Sequence, residues 1–520
     1  MCNLTRRRLL GSVMAGALLG GFTGRMAMAA TGPAKATAGK RRNILLILVD
    51  DLKPLIGAYG DRLAITPNLD RLAARGTRFD AAYANEAVCA PSRINLMTGS
   101  RSTSTGIYDF GMNLRDTIPD AVTMPQHFLA AGYRTESMGK VYHIGHGTKD
   151  DKAGWSVPHH KDKLIEYAEA ASTGGVPTQE EALFEEVPSD DGDPFAYART
   201  LAKGAAWEKP DVADDAYADG RTADYAIGRL RALKGGNQPF FLAVGFARPH
   251  LPFSVPKRYW DMYDPARLPL ASFEQLPESA PRYAGKVGGE IEAYREVPVG
   301  VAGKDFPEAL KRTLIHGYYA SVTYVDRQIG KVLDELDRSG LAQDTVVVLW
   351  GDHGFHLGDH GLWTKHTNFE QATRIPLIFA GPGVAAGKVT GQLTETVDIF
   401  PTLTALAGAG APSGPQPKDG MSMVPVLIDP ARRVRDYAYH CYPRGEWLGE
   451  AIRTDRYRLV RWSNERSGER SFELYDLVAD PQETRNLADT EPAVRDRLAA
   501  ILATHPPAKP VKPKKARKAG

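Results

Sequence analysis

Four apolar runs in this chain each end in residues able to do chemistry. Asn43–Val49 runs into Asp50-Asp51. Two adjacent carboxylates after a buried strand are costly unless a cation or a cap uses them, so a bound metal is the economical reading. The run from Tyr133 to Met138 leads to Gly139-Lys140-Val141-Tyr142-His143, where Lys140 and His143 are spaced to face one site. Phe240–Phe246 leads to Arg248-Pro249-His250, and Thr345–Trp350 to Gly351-Asp352-His353, with His356, Asp359, His360, Lys365 and His366 close behind. A lone histidine such as His250 is more often a structural hydrogen-bonder than an acid; four such clusters at four strand ends are harder to set aside. The fifth feature is the string from Val88 to Gly99, in which Cys89, Pro91, Arg93, Thr98 and Gly99 are the marked positions.

The elements that must hold these residues have an α/β pattern. Continuous apolar runs suit central parallel strands buried on both faces. In open α/β sheets ligands sit beyond the carboxyl ends of the strands, which is where each polar cluster falls. Helical spacing is expected over residues 68–75, 215–233, 318–336 and 398–406, and a further strand over 373–379. Residues 150–215 and 254–305 lack periodicity and suggest functional insertions. From about Tyr437 the pattern becomes short alternating strands, as in an antiparallel sheet with one wet face. A terminal helix follows over 490–503.

A chain of 520 residues is too long for one small core, and one large α/β domain with a smaller appended one is expected. The net charge of +3 is misleading: Arg6, Arg7, Arg8 and Arg25 lie in a leader, and six cations from Lys509 to Lys518 lie in the tail, leaving the body near −7. Nothing there suggests a nucleic-acid partner. Of three cysteines, Cys2 falls in the leader, so no disulfide framework is available and Cys441 is read as a modest structural thiol. Residues 1–29 resemble a twin-arginine export signal, with Thr5-Arg6-Arg7-Arg8, a short glycine-diluted apolar run and Ala27-Met28-Ala29 for cleavage. The run is too short to span a membrane. The expected organisation is therefore a signal over 1–29, a catalytic domain over 42–430, an antiparallel-sheet subdomain over 431–505 and a disordered basic tail over 506–520, in a periplasmic or secreted protein.

The ordered set Asp50-Asp51, Cys89–Arg93, Gly139–His143, Arg248–Phe253, Gly351–Gly361, Trp363–Glu370 and Tyr439–Arg444 resembles the type I, formylglycine-dependent sulfatases, closest to their iduronate-2-sulfatase branch. The likeness runs over residues 42–488, with one departure: Ser100 stands between Thr98-Gly99 and Arg101. It implies an alkaline-phosphatase-like α/β fold, with a large, mostly parallel central sheet, helices on both faces and a smaller C-terminal antiparallel sheet. It also implies that Cys89 is oxidised to formylglycine (3-oxoalanine) by a maturation enzyme. Asp50, Asp51, Cys89, Asp352 and His353 would then bind one calcium ion; the oxygen-rich set suits a hard cation. Arg93 would hold the hydrated aldehyde, Lys140 and Lys365 the sulfate oxygens, His143 would take a proton as sulfate departs, and His250 would protonate the leaving alcohol. His366 would stand behind these. The implied activity is hydrolysis of an O-sulfate on a carbohydrate, a 2-O-sulfated uronic acid foremost. A phosphonate or phosphodiester hydrolase of the same superfamily, or a non-catalytic binder of sulfated glycans, are the rival readings.

Overall fold

A computed structural model describes residues 41–185 and 194–511. The expected leader and the tail beyond residue 511 lie outside them. The described residues from 41 onward form one compact unit.

The unit is built on an eight-stranded sheet. Its strands are β1 (Asn43–Val49), β2 (Gly76–Tyr83), β3 (Arg134–Gly139), β4 (Phe240–Phe246), β5 (Thr345–Gly351), β6 (Arg374–Ala380), β7 (Lys388–Thr390) and β8 (Thr394–Glu395). Their order is β8-β2-β6-β5-β1-β4-β3, with β7 beside β2. β5, β1, β4 and β3 are mutually parallel, whereas β6 runs antiparallel to both of its neighbours.

The core explains the unbroken apolar runs. In β1, Leu45, Ile47 and Val49 enter one buried cluster while Ile44, Leu46 and Leu48 enter another, as the two-residue period of a strand requires. The first face is covered by α1 (Pro67–Ala74), α3 (Ala218–Leu233) and the 31-residue α4 (Glu308–Arg338). The second is covered by α2 (Cys89–Thr98) and α5 (Ile399–Ala407). The sequence pattern foresees only residues 318–336 of α4, yet the helix begins just after Pro307, at Glu308.

The C-terminal strands β9 (Ala438–Arg444), β10 (Trp447–Arg453), β11 (Tyr457–Asn464) and β12 (Arg470–Asp476) form an antiparallel meander, followed by α6 (Pro492–Leu502). This sheet is stitched to the large one. The Cys441 amide donates to the Asn85 carbonyl (2.8 Å), and the Asn85 side chain donates to the Tyr439 carbonyl (2.8 Å). The expected boundary at 430–431 thus separates two sheets but not two compact units. The start of the expected disordered tail is also held: the Lys509 amide donates to the Thr103 carbonyl (2.8 Å), and the Tyr108 hydroxyl donates to the Lys509 carbonyl (2.7 Å). Ala508 and Val511 pack on the C-terminal cluster, so apolar burial outweighs the tail's charge up to residue 511.

Candidate active site

Because β1, β3, β4 and β5 point the same way, their carboxyl ends deliver Asp50-Asp51, Lys140, the 247–253 loop and Asp352-His353 to one edge. Two glycines make the turn at Lys140 possible. A Cβ on Gly245 would lie 2.1 Å from the Lys140 carbonyl oxygen, and one on Gly139 (φ +66°) would lie 2.0 Å from that of Gly245. Asp219 of α3 holds the 247–253 loop by accepting from the Ala247 and Arg248 amides (2.7 and 2.8 Å). Two cis peptide bonds, Arg248–Pro249 and Leu251–Pro252, flank His250. α2 starts at Cys89 and is buried at all ten positions; Ser92 Oγ donates to the Asp352 carbonyl (2.6 Å) and fastens it to the edge.

The ten residues predicted from sequence are brought to this edge, and the charged ones among them form one buried ionic network. Arg93 Nη2 lies 2.9 Å from Asp352 Oδ2 and 3.2 Å from Asp50 Oδ1, and Nη1 donates to the Lys140 and Val141 carbonyls. Lys140 Nζ pairs with Asp50 Oδ2. Lys365 Nζ lies 3.1 Å from Asp51 Oδ2 and 2.7 Å from Glu290 Oε2, while Glu290 Oε1 lies 2.8 Å from His250 Nε2. His250 Nδ1 is 2.6 Å from the Leu251 carbonyl oxygen. Both nitrogens of His250 therefore face acceptors, and only the protonated ring makes both contacts as hydrogen bonds.

Burial would raise every carboxylate here, and the neighbours decide which stay low. Lys140, His250 and Arg93 outweigh burial at Asp50 and hold it well below the ordinary range. At Glu290, His250 and Lys365 do the same. Asp51 is raised by burial despite Lys365, and Asp352 is raised well above its usual value by burial and by Asp50 beside it. Burial, then the Asp50 charge, pushes the Cys89 thiol far up as well, overriding the help a helix N-terminus gives a thiolate. Cys89 is thus an unionised thiol, a poor nucleophile as it stands.

One corner of the network suits a cation. Donor atoms of Asp50, Asp51, Cys89 and His353 lie within 4.8 Å of one another. Asp51 Oδ1 is buried without a hydrogen-bond partner. His353 Nδ1 faces the Gly354 carbonyl oxygen (3.1 Å) and Asp51 Oδ1 (3.2 Å), both acceptors, so the proton sits on Nδ1. The Nε2 lone pair then points at Cys89 Sγ (3.2 Å), the arrangement of a ligating imidazole oriented by its other nitrogen. Burial and Lys365 keep the ring neutral. Asp352 adjoins this group: its oxygens accept from Arg93 and from the Asp51 and His353 amides (3.0 and 2.9 Å). Asp51 has φ +56°, unusual for an aspartate, and is locked there by the Tyr318 hydroxyl donating to its carbonyl (2.6 Å). Asp51 and Asp352, both raised, are the carboxylates least compensated here, and a divalent ion beside them would relieve both.

His143 sits to one side, its Nε2 3.2 Å from His146 Nδ1, with Phe110 and Phe184 against its ring. His366 lies on the rim, its Nδ1 3.3 Å from Lys286 Nζ and its carbonyl accepting from Arg444 Nη2 (2.6 Å). Sequence reading missed Glu290, His146, Glu180 and Phe184. Phe184 covers Lys140 (4.8 Å from Nζ to the ring centre) and meets His250 edge-on (5.4 Å).

Comparison with known proteins finds matches over most of the chain. A family model described as "Sulfatase" matches residues 42–409, and one for the N-sulphoglucosamine sulphohydrolase C-terminal region matches 358–503. The iduronate 2-sulfatase of Mus musculus is 32% identical over 544 residues, covering 90% of this chain and 94% of that protein. The Homo sapiens protein of the same name is also 32% identical, covering 86% and 90%. The choline-sulfatase of Rhizobium meliloti is 29% identical, covering 87% and 83%. Among solved structures, the phosphonate monoester hydrolase of Agrobacterium radiobacter superposes with a TM-score of 0.67 at 23% identity, covering 89% of this chain and 95% of that one. A protein bound to its substrate D-glucosamine-2-N,6-O-disulfate gives 0.68 at 24%, covering 89% and 97%. At those identities the structures speak for the fold alone.

Proposed function

The chain belongs to the sulfatase family, hydrolases of sulfate esters, and from that premise we propose that it removes O-sulfate from a sulfated carbohydrate, a 2-O-sulfated uronic acid foremost, using a formylglycine made from Cys89 and one calcium ion. The observation that carries this reading is the surroundings of Cys89: a wholly buried, unionised thiol against His353, beside a cluster of carboxylates two of which are raised, with Lys365 and Lys140 acting on it. An aldehyde at position 89, once hydrated, supplies the hydroxyl nucleophile that the thiol is not. Asp50, Asp51, Asp352, His353 and residue 89 would hold calcium, which supplies positive charge to acidify that hydroxyl and to bind sulfate oxygens.

The chain's own groups do the rest. Lys140 and Lys365 neutralise the charge that grows on the sulfate oxygens, and because they are buried they act where water screens little. Arg93 holds Asp50 and Asp352 in place and offers its positive face to residue 89. His250, protonated between Glu290 and the Leu251 carbonyl, holds its Nε2 proton against Glu290 until substrate binds; the departing alcohol oxygen then takes the place of Glu290 at that nitrogen and receives the proton. His143, neutral because burial and Lys140 hold its pKa well down, takes a proton at its unpartnered Nδ1 as sulfate leaves.

The twin-arginine-like leader points to export to the periplasm or beyond, after Cys89 meets a maturation enzyme in the cytoplasm. Among the described residues no helix is long and apolar enough to cross a membrane.

The test is a panel of defined sulfated saccharides, including 2-O-sulfated iduronate and glucuronate, assayed beside a phosphonate monoester with matured enzyme. Sulfate release from the uronates, abolished by Cys89→Ala, is the expected result. Faster turnover of the phosphonate, or full sulfatase activity in Cys89→Ala, would overturn the reading.

A further inference from the structure

His143 is 2% exposed and has no direct path to water. Its ring is held in a chain of polar contacts that leaves the ionic network. His143 Nε2 lies 3.2 Å from His146 Nδ1, and His146 Nε2 lies 3.9 Å from Glu180 Oε2. Phe110 and Phe184 wall both imidazoles, with ring centres 4.7 and 5.4 Å from His143 and 5.0 and 4.8 Å from His146. His146 is held in the left-handed region (φ +51°), a conformation a histidine adopts at a cost.

His143 Nδ1 is buried without a hydrogen-bond partner, as is Glu180 Oε2. An unpaired buried N–H is rarer and costlier than an unpaired lone pair, so the hydrogen of His143 sits on Nε2 and is donated to His146 Nδ1 (3.2 Å). A neutral His146 then carries its own hydrogen on Nε2, at ion-pair distance from Glu180 Oε2 but too far for a hydrogen bond. Glu180 itself is 4% exposed and sits on the short helix Gln179–Leu183.

We propose that His146 and Glu180 are positioning residues for His143: His146 fixes the tautomer and orientation that free Nδ1 to accept a proton, and the Glu180 carboxylate balances the positive charge then shared by the two imidazoles. The inference rests on the catalytic reading of His143 given above. It has the logic of a carboxylate–imidazole couple lengthened by one ring. When a proton reaches His143 Nδ1, that ring becomes cationic between two aromatic faces, and the Glu180 carboxyl lies at the far end of His146. Charged groups facing the couple are Lys140, Asp50 and Arg93 at His143, and Glu290, Lys140, His250 and Lys365 at His146. Burial and Glu290 push Glu180 up to about 8, against Lys365 and Lys140. Burial holds His146 down to about 3. The couple therefore gains its charge-balancing form as pH rises through about 8.

Glu180→Gln, His146→Asn and His146→Leu, with His143→Ala as reference, test this with matured enzyme and defined saccharides. Glu180→Gln should lower kcat about tenfold or more with KM within about twofold, and should remove the rise in kcat near pH 8. His146→Asn, which keeps an acceptor for His143, should recover part of the activity that His146→Leu loses. Independently of turnover, 15N histidine spectra of the unmatured protein should show His143 protonated at Nε2 in the wild type, and a mixture of tautomers in His146→Leu. If His143→Ala abolishes turnover while Glu180→Gln and both His146 variants keep wild-type kcat, pH profile and tautomer, this inference fails alone. If His143→Ala itself retains full turnover, the catalytic reading of His143 fails with it.

Discussion

Glu290 is the residue on which the proposed acid step depends most directly. Its two oxygens bridge His250 Nε2 (2.8 Å) and Lys365 Nζ (2.7 Å), and both partners are buried. Glu290→Gln keeps the shape but removes the charge, and turns one bridging oxygen into an NH2 that meets a donor. A charge-assisted hydrogen bond contributes about 1.5–3 kcal/mol. At 1.36 kcal/mol per tenfold, losing the one to His250 predicts a fall in kcat of roughly ten- to a hundredfold wherever the leaving oxygen needs a proton. Sugar sulfates have poor leaving groups and should show that fall. 4-Nitrophenyl sulfate leaves as a stabilised phenolate, needs little protonation and should fall far less. His250→Ala should show the same split, more deeply, and the double variant should be no worse than His250→Ala. Equal losses on both esters would refute the acid-positioning role, and so would a drop in KM with unchanged kcat, which would mark Glu290 as a mere occupant of the sulfate position.

Chelation should lower both activity and thermal stability, and excess calcium should restore them; saturation at a hundred times Kd is worth about 2.7 kcal/mol, read as a shift in Tm. Magnesium at equal concentration restoring both as well as calcium does would contradict the choice of ion. Stability should fall in acid. Buried neutral His146 and His440 (about 3) and His360 (about 4) have pKa values below the unfolded one, so their contribution is complete above about 6.5 and is lost as pH falls toward those values. Glu395, paired with Arg101 and Arg435, and Glu370, beside Arg453 and Arg458, are both held at about 2, so their contribution is full above about 4.5 and is lost below it. Glu180, raised to about 8, and Asp326 and Asp398, raised to about 6, act the other way between pH 8 and about 4, so the steep loss of Tm is expected below about pH 4.5; a flat profile from pH 4.5 to 3 would refute this. Gly245→Ala should cost activity on every substrate, because its Cβ would displace the Lys140 backbone; wild-type kcat in that variant would show the strand end to be pliable.

The strand ends could be read from sequence because a sheet buried on both faces leaves unbroken apolar runs, and parallel strands put their polar successors on one edge. α2 gave no such signal: all ten of its positions are buried, so no polar stripe marks the period. Glu290 lies in a turn after Gly288 and Gly289, in a stretch without periodicity, and only the fold brings it to His250 and Lys365. Glu180 and Phe184 belong to the irregular 150–215 segment and reach the site for the same reason. The start of α4 was legible in principle, since Pro307 followed by Glu308 is a helix-entry pattern and Leu310, Leu314 and Ile315 carry the apolar spacing upstream of Tyr318.

The account stands on the chemical state of residue 89. Mass spectrometry of the tryptic peptide Phe79–Arg93, from protein produced with a maturation enzyme, should show the aldehyde and its hydrate in place of the thiol. Fully active protein in which that peptide carries only unmodified cysteine would contradict it.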